Sequence, residues 1–188
     1  MNPRIRLTVG PVLYYWPRKT LIEFYGAVAD SPADTVVLGE VVCSRRHEMK
    51  PEDWLSLAHD LAACGKEVVF ASQALLESES DLREMRRITA QETYLVEAGD
   101  ASALRALAGR PFVLGPHVNV YSRPALLEHA ALGAVRWVAP VELSLDAIGR
   151  VNPPQAPVSG GPQADTPIAT EVFAFGRLPL AFSARCFT

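Results

Sequence analysis

The chain has 188 residues, 18 Lys and Arg against 21 Asp and Glu, a net charge of -3, and 49% hydrophobic residues. That length suits one domain, and the apolar share suits a chain that buries a sizeable core. The balance excludes a general nucleic-acid grip and global disorder, and no apolar stretch is long enough for a membrane span. The three cysteines, Cys43, Cys64 and Cys186, are too few and odd in number for a disulfide framework, which points to a reducing compartment. Met1 to Leu7 carries Arg4 and Arg6 with no apolar region behind them, so no signal peptide is read and the cytoplasm is the expected address.

In chain order, Ile5–Val9 predicts a first strand. Gly10-Pro11 then turns the chain, and Pro17 opens a helix with Leu21, Phe24, Tyr25 and Val28 at helical spacing. Thr35–Leu38 is a β-branched run ending at Gly39-Glu40, a second strand. Pro51 suits a first helical position, Glu52 and Asp53 suit the positive end of the helix dipole, and Gly65 suits the stop. Trp54, Leu57, Ala58 and Leu61 form the apolar stripe between them. Glu67–Ala71 is a third strand, Ser78–Thr89 a helix, and Tyr94–Val96 a fourth strand. Asp100 caps a helix through Ala108, and Phe112–Leu114 follows as a strand. Ser122 caps a helix through Leu132, closed by Gly133, then Val135–Val138 is a strand and Leu143–Ile148 a short helix.

Residues 151–167 differ. They hold Pro153, Pro154, Pro157, Pro162 and Pro167 with Gly160 and Gly161, the composition of a mobile surface loop. Glu171–Phe175 returns to a strand pattern. Strand, helix, glycine, strand, repeated with short links, argues for parallel βα units. With about seven strands, the expectation is a single α/β domain over residues 1–188. It is a TIM-barrel-like (β/α)8 fold left incomplete at its C-terminal part.

In such a fold, residues just after the strands gather at one face, where sites form. Cys43 follows the second strand and Cys186 the last, so the two thiols can meet there. Arg45, Arg46 and Arg185 beside them favour the thiolate, the metal-binding form. From composition alone the same cysteines read first as two small buried hydrophobes, and Cys64, at a helix end, is read as packing. Glu40, Glu142 and Glu171 lie at or beside strand ends, where paired carboxylates can do acid–base work or hold loops. His117 and Asn119 lie in a post-strand loop and could bind a polar ligand. With Arg45, Arg46, Glu142 and Arg185, they form the candidate substrate-binding set. No G-x-S-x-G, Walker A or G-x-G-x-x-G string occurs.

Four strings carry a resemblance, in order along nearly the whole chain. They are Gly10-Pro11-Val12-Leu13-Tyr14-Tyr15-Trp16-Pro17, Leu38-Gly39-Glu40-Val41-Val42-Cys43-Ser44-Arg45-Arg46, Arg136-Trp137-Val138-Ala139-Pro140-Val141-Glu142-Leu143-Ser144, and Gly176 through Arg185-Cys186-Phe187-Thr188. Together they resemble the collagenase-like peptidase family, in the branch that serves oxygen-independent ubiquinone biosynthesis. The resemblance implies a barrel-like domain and a [4Fe-4S] cluster with Cys43 and Cys186 as two of its four cysteine ligands. It implies a heterodimer with a UbiU-like homologous protein and a UbiT-like lipid-binding accessory protein. Family members are longer and carry their other two cluster cysteines soon after the position of Cys186, so a C-terminally truncated chain is expected, with its cluster incomplete or absent. Peptidase-like members carry His-Gly where this chain has Phe175-Gly176, and Ser-Gly where it has Ser183-Ala184, so no active peptidase is expected. A scaffold or electron-relay partner, a degenerate peptidase and an RNA-hydroxylation factor are the competing readings.

Overall fold

The computed structural model describes residues 5–46, 48–160, 166–179 and 181–182. Seven strands form one sheet in sequence order, and every pairing is parallel. They are β1 (Thr8–Val9), β2 (Thr35–Leu38), β3 (Glu67–Ala71), β4 (Leu95–Ala98), β5 (Phe112–Leu114), β6 (Ala134–Val138) and β7 (Ala169–Glu171). Between them run α1 (Arg18–Ala29), α2 (Pro51–Ala63), α3 (Glu79–Ala90), α4 (Ala101–Leu107), α5 (Arg123–Leu132) and α6 (Leu145–Val151). The sheet curls into an incomplete TIM-like barrel, and one side-chain hydrogen bond reaches from its first strand to its last, Thr8 Oγ1 donating to Glu171 Oε2 at 3.1 Å. Among the described residues no helix is long and apolar enough to cross a membrane.

The central strands β2 to β5 are buried on both faces, which is why they read as nearly continuous apolar runs, while β1 and β7 at the sheet edges are not. Alternation along each strand sorts their side chains. Val36, Leu38, Val68, Phe70, Val96, Phe112, Leu114 and Trp137 join the large core under the helices. Val37, Val69, Ala71 and Val113 turn the other way and fill a smaller core inside the barrel.

Caps set the helix starts as the sequence predicts. Ser78 Oγ accepts from Asp81 N, Asp100 from Ser102 N and Ala103 N, and Ser122 Oγ from Ala125 N. Several boundaries differ from expectation, most of all the last strand, which is Ala169–Glu171 where Glu171–Phe175 was expected, because it pairs with β6 over Arg136–Val138 and Val172, Phe173 and Phe175 beyond it are exposed. The first strand is only Thr8–Val9, and Ile5 is exposed. The fourth begins at Leu95, because the Gln91 side chain takes both backbone groups of Tyr94, donating to its carbonyl at 2.7 Å and accepting from its N–H at 2.9 Å. The last helix starts at Leu145, where Ser144 Oγ accepts from Ala147 N.

In the proline-rich segment, Pro154, Gln155 and Ala156 are exposed, but Val158 is buried. Buried Asn152 holds it. Asn152 Oδ1 accepts from Val158 N at 2.7 Å, and Nδ2 donates to the Ile168 carbonyl at 3.1 Å.

Candidate functional site

Because the strands are parallel, the residues after each one share a rim. The chain passes tightly there. Gly39 has φ +122°, and a Cβ at that position would stand 2.9 Å from the Ala71 carbonyl oxygen. At Gly115 a Cβ would stand 2.6 Å from the Ala98 carbonyl oxygen. Glycine at these two places lets each loop cross the end of the neighbouring strand.

Cys43 stands on this rim as a half-buried free thiol. Two residues before it, Val41 is buried in the barrel-interior core, and its carbonyl accepts from Ala74 N at 3.0 Å. A 3-10 turn over Ser44–Arg46 follows and separates the two arginines. Arg45 is exposed. Arg46 folds inward, where Nη2 donates to the Leu13 carbonyl at 3.0 Å and Nη1 lies 3.8 Å from Glu40 Oε2. That distance is an ion pair without a hydrogen bond. Burial pushes the Glu40 carboxyl up to about 7, opposed by the charge of Arg46 and reinforced by that of Glu48. Arg185 and Cys186 lie outside the described residues. Exposed Cys64 sits at the C-terminal end of α2, where the chain returns to the start of β3, so it is at the opposite end of the barrel from Cys43.

His117, Asn119 and Glu142 come together on the same rim, lining a cleft of about 250 Å³. His117 is in a 3-10 turn over Pro116–Val118, and Asn119 closes it in the left-handed conformation, φ 61°. The His117 ring meets Phe182 edge-on, with ring centres 4.6 Å apart. Burial lowers the His117 pKa against the pull of Glu142, so the imidazole is neutral near pH 7 and offers one donor and one acceptor. The Tyr121 hydroxyl donates to Glu142 Oε1 and lies 3.3 Å from Asn119 Oδ1. That hydroxyl is the main reason the Glu142 carboxyl is held below its ordinary range. The cleft thus sets a neutral imidazole, an amide and a phenol-bound carboxylate side by side, a set suited to a small polar molecule. Tyr121 and Phe182 were not among the expected residues. Tyr121 had a signal, since it stands two positions after Asn119 in the same post-strand loop.

A belt of charge crosses the barrel interior. Glu67, at the first position of β3, accepts from Arg6 Nη2 at 2.8 Å, from Thr35 Oγ1 at 2.6 Å, and from Arg136 Nη2 at 2.9 and 2.8 Å. Burial opposes its ionisation, but the Thr35 and Arg136 hydrogen bonds outweigh that and keep its carboxyl below the ordinary range. Arg136 Nη1 is also 3.9 Å from Glu171 Oε2. Glu97, buried on β4, is pushed up to about 8, by burial first and then by the charge of Glu171, against Arg136. Burial raises the Glu171 carboxyl as well. Glu171 therefore belongs to this belt, whose contacts tie β1, β3, β6 and β7 together, rather than to the rim cleft with Glu142. Glu67, Glu97 and Arg136 were not singled out from the sequence. Their signal was a charge set within an otherwise apolar strand, which needs a partner if buried.

Among the described residues, no group of three or more His, Cys, Asp and Glu is placed to hold a metal ion. Nor is any serine or cysteine there hydrogen-bonded to a histidine. Compared with known proteins, the sequence profile of peptidase family U32 matches residues 22–188, and the chain belongs to that family. No solved structure matches the chain.

Proposed function

Taking membership of peptidase family U32 as the premise, we propose that this chain is a UbiV-like subunit of an oxygen-independent hydroxylation system in ubiquinone biosynthesis. It works as a heterodimer with a UbiU-like homologue, with a UbiT-like lipid-binding protein as accessory. One observation carries the reading. Cys43, in the most specific of the resembling strings, stands half-buried on the rim where barrel sites form, while Cys64 stands at the other end.

The [4Fe-4S] cluster implied by the resemblance needs four ligands, in most sites cysteine thiolates. The chain holds three cysteines, and the position of Cys64 removes one from the rim. Cys43 and Cys186 alone do not fit a complete cluster, so its other ligands come from outside these 188 residues. No reaction step is derived through it. The chain's own part is to present Cys43 beside the Glu40–Arg46 pair and to offer a polar cleft at His117, Asn119 and Glu142 for a small reactant. Without a serine or cysteine joined to a histidine among the described residues, hydrolysis is not proposed.

The shortage of thiols favours a second reading, a non-catalytic scaffold or electron-relay partner. The test is complementation of anaerobic ubiquinone synthesis in a strain lacking this protein. Cys43→Ser is expected to abolish quinone formation and Cys64→Ser to leave it intact. Full complementation by Cys43→Ser overturns the cluster-bearing reading. Partner binding that survives replacement of both Cys43 and Cys186 then favours the scaffold.

A further inference from the structure

The rim cleft at His117 holds hydrogen-bonding atoms that the fold leaves open. The half-buried His117 ring packs edge-on against Phe182 but makes no hydrogen bond among the described residues. Its neutral imidazole therefore has one nitrogen free to accept. Tyr121 has a single hydroxyl proton, and the charged carboxylate of Glu142 takes it. Asn119 Oδ1, 3.3 Å from the same hydroxyl, thus keeps its accepting capacity. A carboxylate accepts at several sites, so one phenol does not exhaust Glu142.

Three acceptors, from His117, Asn119 and Glu142, accordingly line one cleft of about 250 Å³. Among the described residues no Lys or Arg lines it, so its one fixed charge is negative. These features select the ligand. The uncompensated carboxylate opposes an anion. A divalent cation needs more acidic oxygens than this cleft offers. A primary ammonium group carries one positive charge and three N–H donors, one for each acceptor. Pro116, Val141 and Pro179 supply apolar wall for a short carbon chain.

We propose that the His117 cleft is a binding site for a small primary amine in its ammonium form, donating to the imidazole, to Asn119 Oδ1 and to the Glu142 carboxylate. The proposal rests on the reading of this cleft as the place of a small polar reactant and names the reactant's class. It needs neither iron nor a partner protein.

The chain has four histidines, so labelled histidine gives four imidazole signals in an NMR spectrum. The signal lost in His117→Gln, and in contact with the Phe182 ring in the wild type, is that of His117. At pH 7 and fixed ionic strength, propylammonium chloride is expected to shift that signal saturably and leave the other three in place. Uncharged 1-propanol and anionic propionate should move none of them. Glu142→Gln should weaken propylammonium binding about fivefold, the contribution of roughly one exposed charge pair. Glu142 is exposed, so the substitution leaves the fold intact. Sodium chloride moving His117 as far as propylammonium, or equal affinity in Glu142→Gln, overturns the amine assignment. Propionate or propanol moving His117 where propylammonium does not overturns the ammonium class but keeps the cleft as a ligand site. No saturable shift with any probe overturns the proposal and counts against the cleft as a ligand site. The Cys43→Ser complementation result is independent of all these outcomes.

Discussion

Replacing Arg136 by Met tests the charged belt most severely. The Arg136 side chain is 13% exposed, and its partners Glu67 and Glu171 are 28% and 25% exposed. Removing one member of a buried pair costs about 3–5 kcal/mol, because the remaining charge is stranded. Partial exposure of the two carboxylates reduces this to about 2–4 kcal/mol. For a chain of this length, about 3 kcal/mol corresponds to a drop in Tm of roughly 6–12 °C. The loss also has a pH signature. The Glu67 carboxyl lies below its ordinary range when folded, so its stabilising contribution is present above the unfolded pKa and fades as the pH falls through the folded value. Without Arg136, the Glu67, Glu97 and Glu171 carboxylates face one another with only the half-exposed Arg6 beside Glu67, and they relax by taking up protons. The deficit should therefore be larger at pH 8 than at pH 5. Urea unfolding of both proteins at the two pH values measures it, and adding Glu67→Gln to the variant should restore much of the loss at pH 8. A deficit below about 1 kcal/mol, or one equal at both pH values, refutes the belt as a source of stability.

Glu97→Gln removes a carboxyl whose folded pKa is raised to about 8. Such a group lowers stability as pH rises from its unfolded value through the folded one, so the variant should gain on the wild type at pH 8 relative to pH 5. An equal difference at both would contradict this. Gly39→Ala places a Cβ 2.9 Å from the Ala71 oxygen at φ +122° and should destabilise by about 1–3 kcal/mol in urea unfolding. An alanine variant as stable as the wild type would refute the tight crossing. Asn152→Ala strands the Val158 N–H and the Ile168 carbonyl, at a cost of about 2–4 kcal/mol. Hydrogen exchange at the Val158 amide should accelerate, and unchanged protection there would count against the anchor.

Local chemistry made much of this architecture legible in the sequence. Ser122 and Gly133 bracket α5, and Pro51 opens α2, because caps and breakers act on neighbouring residues. The β2, β3 and β5 ranges coincide with their apolar runs. At β4 the Gln91 side chain competes with the ladder for Tyr94, a contest that apolar periodicity does not register. His117, Asn119 and Glu142 line one cleft because parallel strands send their following loops to the same end. The Arg136–Glu67 pair joins residues 69 apart, and no local pattern encodes such a partner. Arg45 and Arg46 look equivalent in sequence, yet the 3-10 turn sends one to solvent and the other to Glu40.

The most direct measurement is iron and acid-labile sulfide, with a visible absorption spectrum, on protein purified anaerobically with its co-expressed homologous partner. The wild type, Cys43→Ser and Cys64→Ser are compared. Expected are a thiolate-to-iron absorption band and about equal iron and sulfide in the wild type and in Cys64→Ser, both lost in Cys43→Ser. Iron and sulfide retained in full by Cys43→Ser, or absent from all three, would contradict the assignment of Cys43 as a cluster ligand.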